Sequence, residues 1–159
     1  MRVLSEFDTS VRRALSEIDP KWEKYNGLIV CGTHSPKNVE EEITAIREAR
    51  EKKLPFLGIC HGHQLAAIEY ARHVLGIQDA CSEEWGNGTK VVIKLNELKV
   101  GLYGGESYWN HYEVKEGFDE LWKKEDNFIT CQFHPEYNSS KERPHLLLVD
   151  FLKYAKLAN

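Results

Sequence analysis

A cysteine stands at a one-residue junction between an apolar run and a helical pattern in PFLGICHGHQ, residues 55–64. So short a turn forces its side chain outward at the top of a sheet, as a nucleophile elbow does. Gly58 and Gly62 lie two residues to either side of Cys60, where side chains would collide in a sharp turn. The start of the following helix aims backbone N–H groups and positive dipole potential at the thiol, which favours the reactive thiolate. The competing reading is a small buried hydrophobe, the usual state of a free cysteine. The second chemical segment is CQFHPEY, residues 131–137. His134 closes an apolar run, and Glu136 lies two residues on, across Pro135 with its fixed φ. A histidine so placed takes and returns a thiol proton while the carboxylate holds its tautomer. Alone, a His-Pro-Glu loop reads as a surface turn. Beside a cysteine elbow it completes a Cys60–His134–Glu136 triad.

The elements that must position these groups follow from the periodicity. Residues 10–18 predict a short helix with Ser10 available as its cap, and GLIVCG, residues 27–32, predicts a buried strand. Residues 38–53 predict an amphipathic helix with Ile43, Ile46 and Ala49 on one face, acids in its first turn and bases in its last. PFLGI is a second buried strand. The helix after Cys60 is read from Leu65, Ile68, Ala71 and Leu75, with Gly76 as its stop. From 85 to 130 the chain reads as β-rich, with a Gly-Gly turn inside KVGLYGGESYW and a buried strand at NFITCQF; HLLLVDFLKYAKL is a final helix. Strands alternating with helices predict an α/β fold, a flavodoxin-like, doubly wound, mainly parallel sheet in a single domain over residues 1–159. Such sheets bind ligands at the carboxyl ends of their strands.

Composition narrows the function classes. The 159 residues are 42% hydrophobic and 29% charged with a formal net charge of -4, ordinary for a globular domain. Basic residues are scattered among acids, which argues against nucleic-acid binding. No apolar run approaches the roughly 18 residues that cross a bilayer, and the N-terminus lacks the apolar centre of a signal peptide, so a cytoplasmic location is expected. Cys31, Cys60, Cys81 and Cys131 form no CxxC pair, which is poor spacing for zinc. Neither a metal nor a cofactor is expected. Trp85, Trp109 and Tyr108 are read as core or pocket wall, and His73 and His145 as surface or packing residues.

PFLGICHGHQLAAIEYARHVLGIQDACSEEW and CQFHPEYNSSKERPHLLLVDFLKYA resemble the class I glutamine amidotransferases, in particular the glutaminase domain of CTP synthase. The likeness covers about the last four-fifths of the chain. It implies that Cys60 attacks the side-chain amide of glutamine, forms a glutamyl thioester and releases ammonia. It implies an oxyanion hole from the backbone N–H of His61 and from the CGTHS loop at Gly32 and Thr33. Such donors contribute about 3–4 kcal/mol each. Gln64 and Glu84 match positions that contact the substrate amino acid, while His34, His111 and Tyr112 are expected to border the same pocket.

The departures from the family pattern are specific. Its loop is usually Pro-Gly-Gly, an aromatic and a glycine; here Thr33 takes a glycine position, costly if φ is positive there. His61 stands in place of Leu and His63 in place of Met. His111 stands in place of an arginine that reads the substrate carboxylate, which is not a conservative change. The family has two strand–helix units before its oxyanion loop where about 27 residues stand here. Three readings of His34, His61, His63 and His111 compete: drift, a pocket rebuilt for another amide or γ-glutamyl substrate, and a metal site. The expected function is a cysteine-dependent amidohydrolase of glutamine or a γ-glutamyl compound. Its rivals are a non-catalytic binding module and a glutaminase subunit that works only on a separate synthase partner.

Overall fold

The computed structural model describes residues 1–118 and 126–159. In chain order the elements are β1 (Arg2–Leu4), α1 (Thr9–Ile18), β2 (Leu28–Val30), α2 (Val39–Glu51), β3 (Phe56–Ile59), α3 (His61–His73), β4 (Cys81–Ser82), β5 (Lys90–Tyr103), β6 (Glu106–Val114), β7 (Phe128–Cys131) and α4 (Leu146–Leu157). β1, β2, β3 and β7 form a parallel sheet in that order. The fold is therefore mixed α/β on a parallel sheet, as the alternating pattern predicts.

β2 and β3 are buried along their whole length because helices cover both faces of the sheet. On one face Leu28, Val30 and Phe56 pack with Ile43 and Ile46 of α2 and with Leu65 and Ile68 of α3. On the other, Ile29, Leu57 and Ile59 meet Val11 and Leu15 of α1 and Leu148 and Phe151 of α4. Burying each such side chain contributes about 1.5–3 kcal/mol. Ala66, Ala67 and Ala71 let α3 lie close against Ala45 and Ala49 of α2. Between these two helices, Arg50 closes a fork on the fully buried Glu69 carboxylate, at 2.7 Å through Nη2 and 2.9 Å through Nε. An ion pair so enclosed fixes the relative register of the helices, since either charge alone would be costly there.

β4, β5 and β6 make a second sheet, and β5 and β6 form a long antiparallel hairpin closed by Gly104 and Gly105. Three details differ from the sequence reading. The helix over 10–18 starts at Thr9 after Asp8, so Ser10 lies inside it and caps nothing; the Asp8 carboxylate instead accepts from Arg12 Nε at 2.6 Å. The helix after Cys60 ends at His73, which leaves Leu75 43% exposed, while Gly76 takes φ +77° just beyond. The three-residue strand β1 was not anticipated, because its polar neighbours hide so short an apolar run. The β-rich reading of 85–130 includes 119–125, which lie outside the described residues. No described helix is long and apolar enough to cross a membrane.

Candidate active site

Cys60 is the single residue between β3 and α3, and its backbone takes φ 54°, ψ -100°. A side chain in such a region costs about 1–3 kcal/mol and persists only where its surroundings hold it. Here the Cys60 N–H donates to the Cys131 carbonyl at 2.8 Å, and the Cys60 carbonyl accepts from the Gln64 N–H at 3.1 Å. The crossing of α3 over β2 is equally tight. A Cβ on Gly62 would lie 2.1 Å from the Val30 carbonyl oxygen, and one on Gly58 would lie 2.8 Å from the Gly62 backbone. Both flanking glycines are therefore required by close approach, for the reason the spacing suggests.

β7 runs beside β3, so the residues that follow it emerge on the same rim. His134 and Glu136 are both buried, and His134 Nδ1 donates to Glu136 Oε1 at 2.7 Å. This bond fixes the ring, and the Cys60 side chain acts on the imidazole electrostatically. Tyr137 stacks on the ring at 4.7 Å, and the Arg13 guanidinium holds the Glu136 carbonyl at 3.0 Å. The His134 N–H donates to the Ser107 carbonyl at 2.7 Å, which ties the loop to β6. Burial pulls the imidazole down, but the Cys60 sulfur and the Glu136 carboxylate outweigh it and raise His134 from 6.5 to about 10. Burial pushes the Cys31 and Cys131 thiols up, and nearby carboxylates add to it.

A cavity of about 180 Å³ opens over Cys60. Of the residues expected at the substrate, His34, Gln64, Glu84, His111 and Tyr112 all line it, as do Thr33 and His61 of the expected oxyanion hole. Gly32 lies beneath, where an added Cβ would stand 3.1 Å from His134 Cε1 and 3.6 Å from Cys60 Cβ. Thr33 is not in the left-handed region; among the described non-glycine residues only Ser5, Lys53 and Cys60 have positive φ. The cost foreseen for a β-branched residue is therefore absent. Thr33 Oγ1 accepts from the Ser35 N–H at 3.0 Å and so shapes the loop.

Three of the four unusual histidines, His34, His61 and His111, line this cavity, and His63 does not. His61 Nε2 meets the Glu42 carboxylate at 2.9 Å, and His63 Nδ1 meets the Thr130 hydroxyl at 3.0 Å. His34 packs between Phe7 and Trp109 and is lowered by burial and by His111 and His134. No three His, Cys, Asp or Glu side chains converge on a metal position among the described residues. His145, read as surface or packing, caps α4 by accepting from the Leu147 N–H and pairs with Glu106 at 3.0 Å.

Sequence reasoning missed Gln132 and Asn110 at the site, while Trp109 was read as core or pocket wall and does line the cavity. Gln132 Nε2 donates to Cys60 Sγ at 3.5 Å, and its carbonyl accepts from Gln64 Nε2 at 3.3 Å. Asn110 and Trp109 line the cavity from β6. Gln132 was visible as the polar residue one step past β7; nothing local marks Asn110.

A parallel α/β sheet carries a strained cysteine and a His–Glu pair on one rim, and comparison with known proteins gives the family. The family profile "Glutamine amidotransferase class-I" matches residues 3–119, and the chain belongs to that family. It is 33% identical to the CTP synthase of Methanoculleus marisnigri over 82% of this chain and 34% of that protein. It is 31% identical to that of Clostridium acetobutylicum over 92% of this chain and 36% of that protein. The chain thus spans about a third of the length of these relatives. The solved glutaminase domain of Trypanosoma brucei CTPS, with bound acivicin, shares the fold at a TM-score of 0.76 and 19% identity. That match covers 99% of this chain and 93% of the other.

Proposed function

We propose that this chain is a cysteine amidohydrolase that cleaves glutamine or a related γ-glutamyl amide through a thioester. The observation that carries it is the strained Cys60 at the start of α3, on the same rim as a buried His134 that Glu136 orients at 2.7 Å. In this reading the Cys60 thiolate attacks the side-chain carbonyl carbon. The developing oxyanion is held by the His61 N–H, which has no intrahelical partner at the first position of α3, and by the Gly32–Thr33 loop. The His134 imidazolium gives its proton to the leaving nitrogen, which departs as ammonia or an amine and leaves the acyl thioester. His134 then takes a proton from water, the hydroxide displaces the sulfur, and acid and thiolate are released. Gln64, Glu84, His34, His111 and Tyr112 surround the remainder of the substrate.

A second reading is supported by the relatives, which are CTP synthases about three times as long as the matched region. In it the ammonia passes to a synthase carried on another chain or another part of the protein. Intact mass after exposure to a chloroketone with the glutamine skeleton, with Cys60→Ala as control, tests the first reading. One adduct on the native protein and none on the variant is expected, with ammonia release from glutamine. A native protein that neither labels nor releases ammonia, alone or with a synthase added, would leave a binding module as the better description.

A further inference from the structure

The charges around the cavity are lopsided. Its lining holds one carboxylate, Glu84, and neither lysine nor arginine among the described residues. Glu84 is half-buried, and its carboxylate is drawn into no ion pair there; burial raises it, against the pull of His61 and His111. Asn110 adds a second acceptor. Its Nδ2 donates to the Tyr112 carbonyl at 3.0 Å, which leaves its buried Oδ1 with no donor. Against these stand three imidazoles, and two are compromised as cations. His61 shares any charge with the Glu42 carboxylate 2.9 Å away. His34 is wedged between Phe7 and Trp109, where burial disfavours a charge. His111 is exposed and, unlike a guanidinium, presents no bidentate fork to a carboxylate. Among the described residues the lining offers an ammonium one carboxylate and offers an anion neither lysine nor arginine.

Free glutamine carries both an ammonium and a carboxylate on its α-carbon. The ammonium suits Glu84; the carboxylate would enter an acceptor-lined pocket without a fixed positive charge, and an unpaired charge in a sheltered site is costly. Resting on the amidohydrolase reading above, we infer that the substrate selected at neutral pH is a glutaminyl compound with a free α-amino group and its α-carboxyl tied up as an amide. Trp109 and His34, with ring centroids 4.7 Å apart and planes tilted by 59°, offer the amide ring faces to pack on instead of a charge. The cavity above Cys60 measures about 180 Å³. Anything beyond the blocking amide extends over Trp109 into solvent.

The test is kcat/KM at pH 7.5 for L-glutamine and for L-glutamine α-amide, with the product chromatographed to establish cleavage at the side chain. It is run on the native protein and on His111→Arg. The native protein is expected to prefer the α-amide by about tenfold or more, the scale of one charge-assisted hydrogen bond. His111→Arg supplies a permanent cation and is expected to shift the ratio back toward free glutamine by at least that factor. A native preference for free glutamine overturns the inference and leaves the amidohydrolase reading standing. So does equal use of both substrates. Turnover of neither, by a protein whose Cys60 still reacts with iodoacetamide, overturns the inference and the amidohydrolase reading together. Should the variant fail to fold, the native ratio alone decides.

Discussion

Glu136→Gln removes one charge from the site and keeps one acceptor. The glutamine carbonyl can take the place of Oε1 and still accept from His134 Nδ1, so the tautomer survives. Its amide nitrogen falls where Glu136 Oε2 now has no hydrogen-bond partner. The backbone there is held independently by Arg13 at 3.0 Å, so the loop is expected to stay in place. What changes is the charge facing a buried ring at 2.7 Å. A hydrogen bond to a charged group is worth about 1.5–3 kcal/mol. At about 1.36 kcal/mol for each pKa unit, His134 should fall by about 1–2 units from its value near 10. The sign for stability follows. His134 is raised above its ordinary 6.5, so the stabilisation is fully present below 6.5 and is lost as pH rises through about 10. Native protein and variant should therefore differ by about 1.5–3 kcal/mol in urea unfolding at pH 6 and converge above pH 10. The direct measurement is the titration of the His134 Cε1–H resonance in both proteins, with kcat/KM for glutamine at pH 7.5 alongside. The rate should fall by about 10- to 150-fold, the same free energy applied to the imidazolium that forms in the reaction. An unmoved resonance midpoint with an unchanged rate would show that Glu136 does not act on His134, and the triad would have to be abandoned.

Three further substitutions separate backbone strain, packing and chemistry. Cys60→Ala should abolish turnover while preserving the circular dichroism spectrum, and Cys60→Gly, equally inactive, should be about 1 kcal/mol more stable than Cys60→Ala because only glycine relaxes φ 54°. Equal denaturant midpoints for those two variants would mean the elbow stores no strain. Gly62→Ala must move the Val30 carbonyl, 2.1 Å from the new Cβ, and should lower stability by about 3 kcal/mol or prevent soluble expression; a native thermal midpoint would contradict the observed crossing of α3 over β2. Gly32→Ala, whose Cβ would press on His134 Cε1 at 3.1 Å, should cost under about 1 kcal/mol in unfolding yet lower kcat by about tenfold or more, because displacing a reacting group by a fraction of an ångström is felt chiefly in the rate. Loss of stability without loss of rate would remove Gly32 from the site.

The parts of the site legible in the sequence are those fixed by contacts close along the chain. Cys60 between two glycines needs only β3, one turn and α3, and all of these lie within residues 56–73. His134 and Glu136 are two residues apart, so their hydrogen bond is a property of one loop. That the two segments meet follows from a parallel sheet, because β3 and β7 then present their carboxyl ends on one rim. The rest depends on contacts across long loops, which periodicity does not encode. β1 has three residues and is stabilised by pairing with β2, so its own sequence carries little signal. Asn110 faces the cavity only because β6 docks on the loop after β7 through the bond from His134 N–H to Ser107. The partners of His61 and His63, Glu42 and Thr130, lie 19 and 67 residues away, and no spacing rule connects them. Four histidines spread from 34 to 111 along the chain thus sit on different elements, and three of them come together at the cavity. The hairpin that supplies Trp109, Asn110 and His111 is what converts a cysteine elbow into an enclosed pocket. On the proposed reading substrate choice falls to β6, the segment whose placement the sequence reveals least, and the chemistry to the two turns it reveals best.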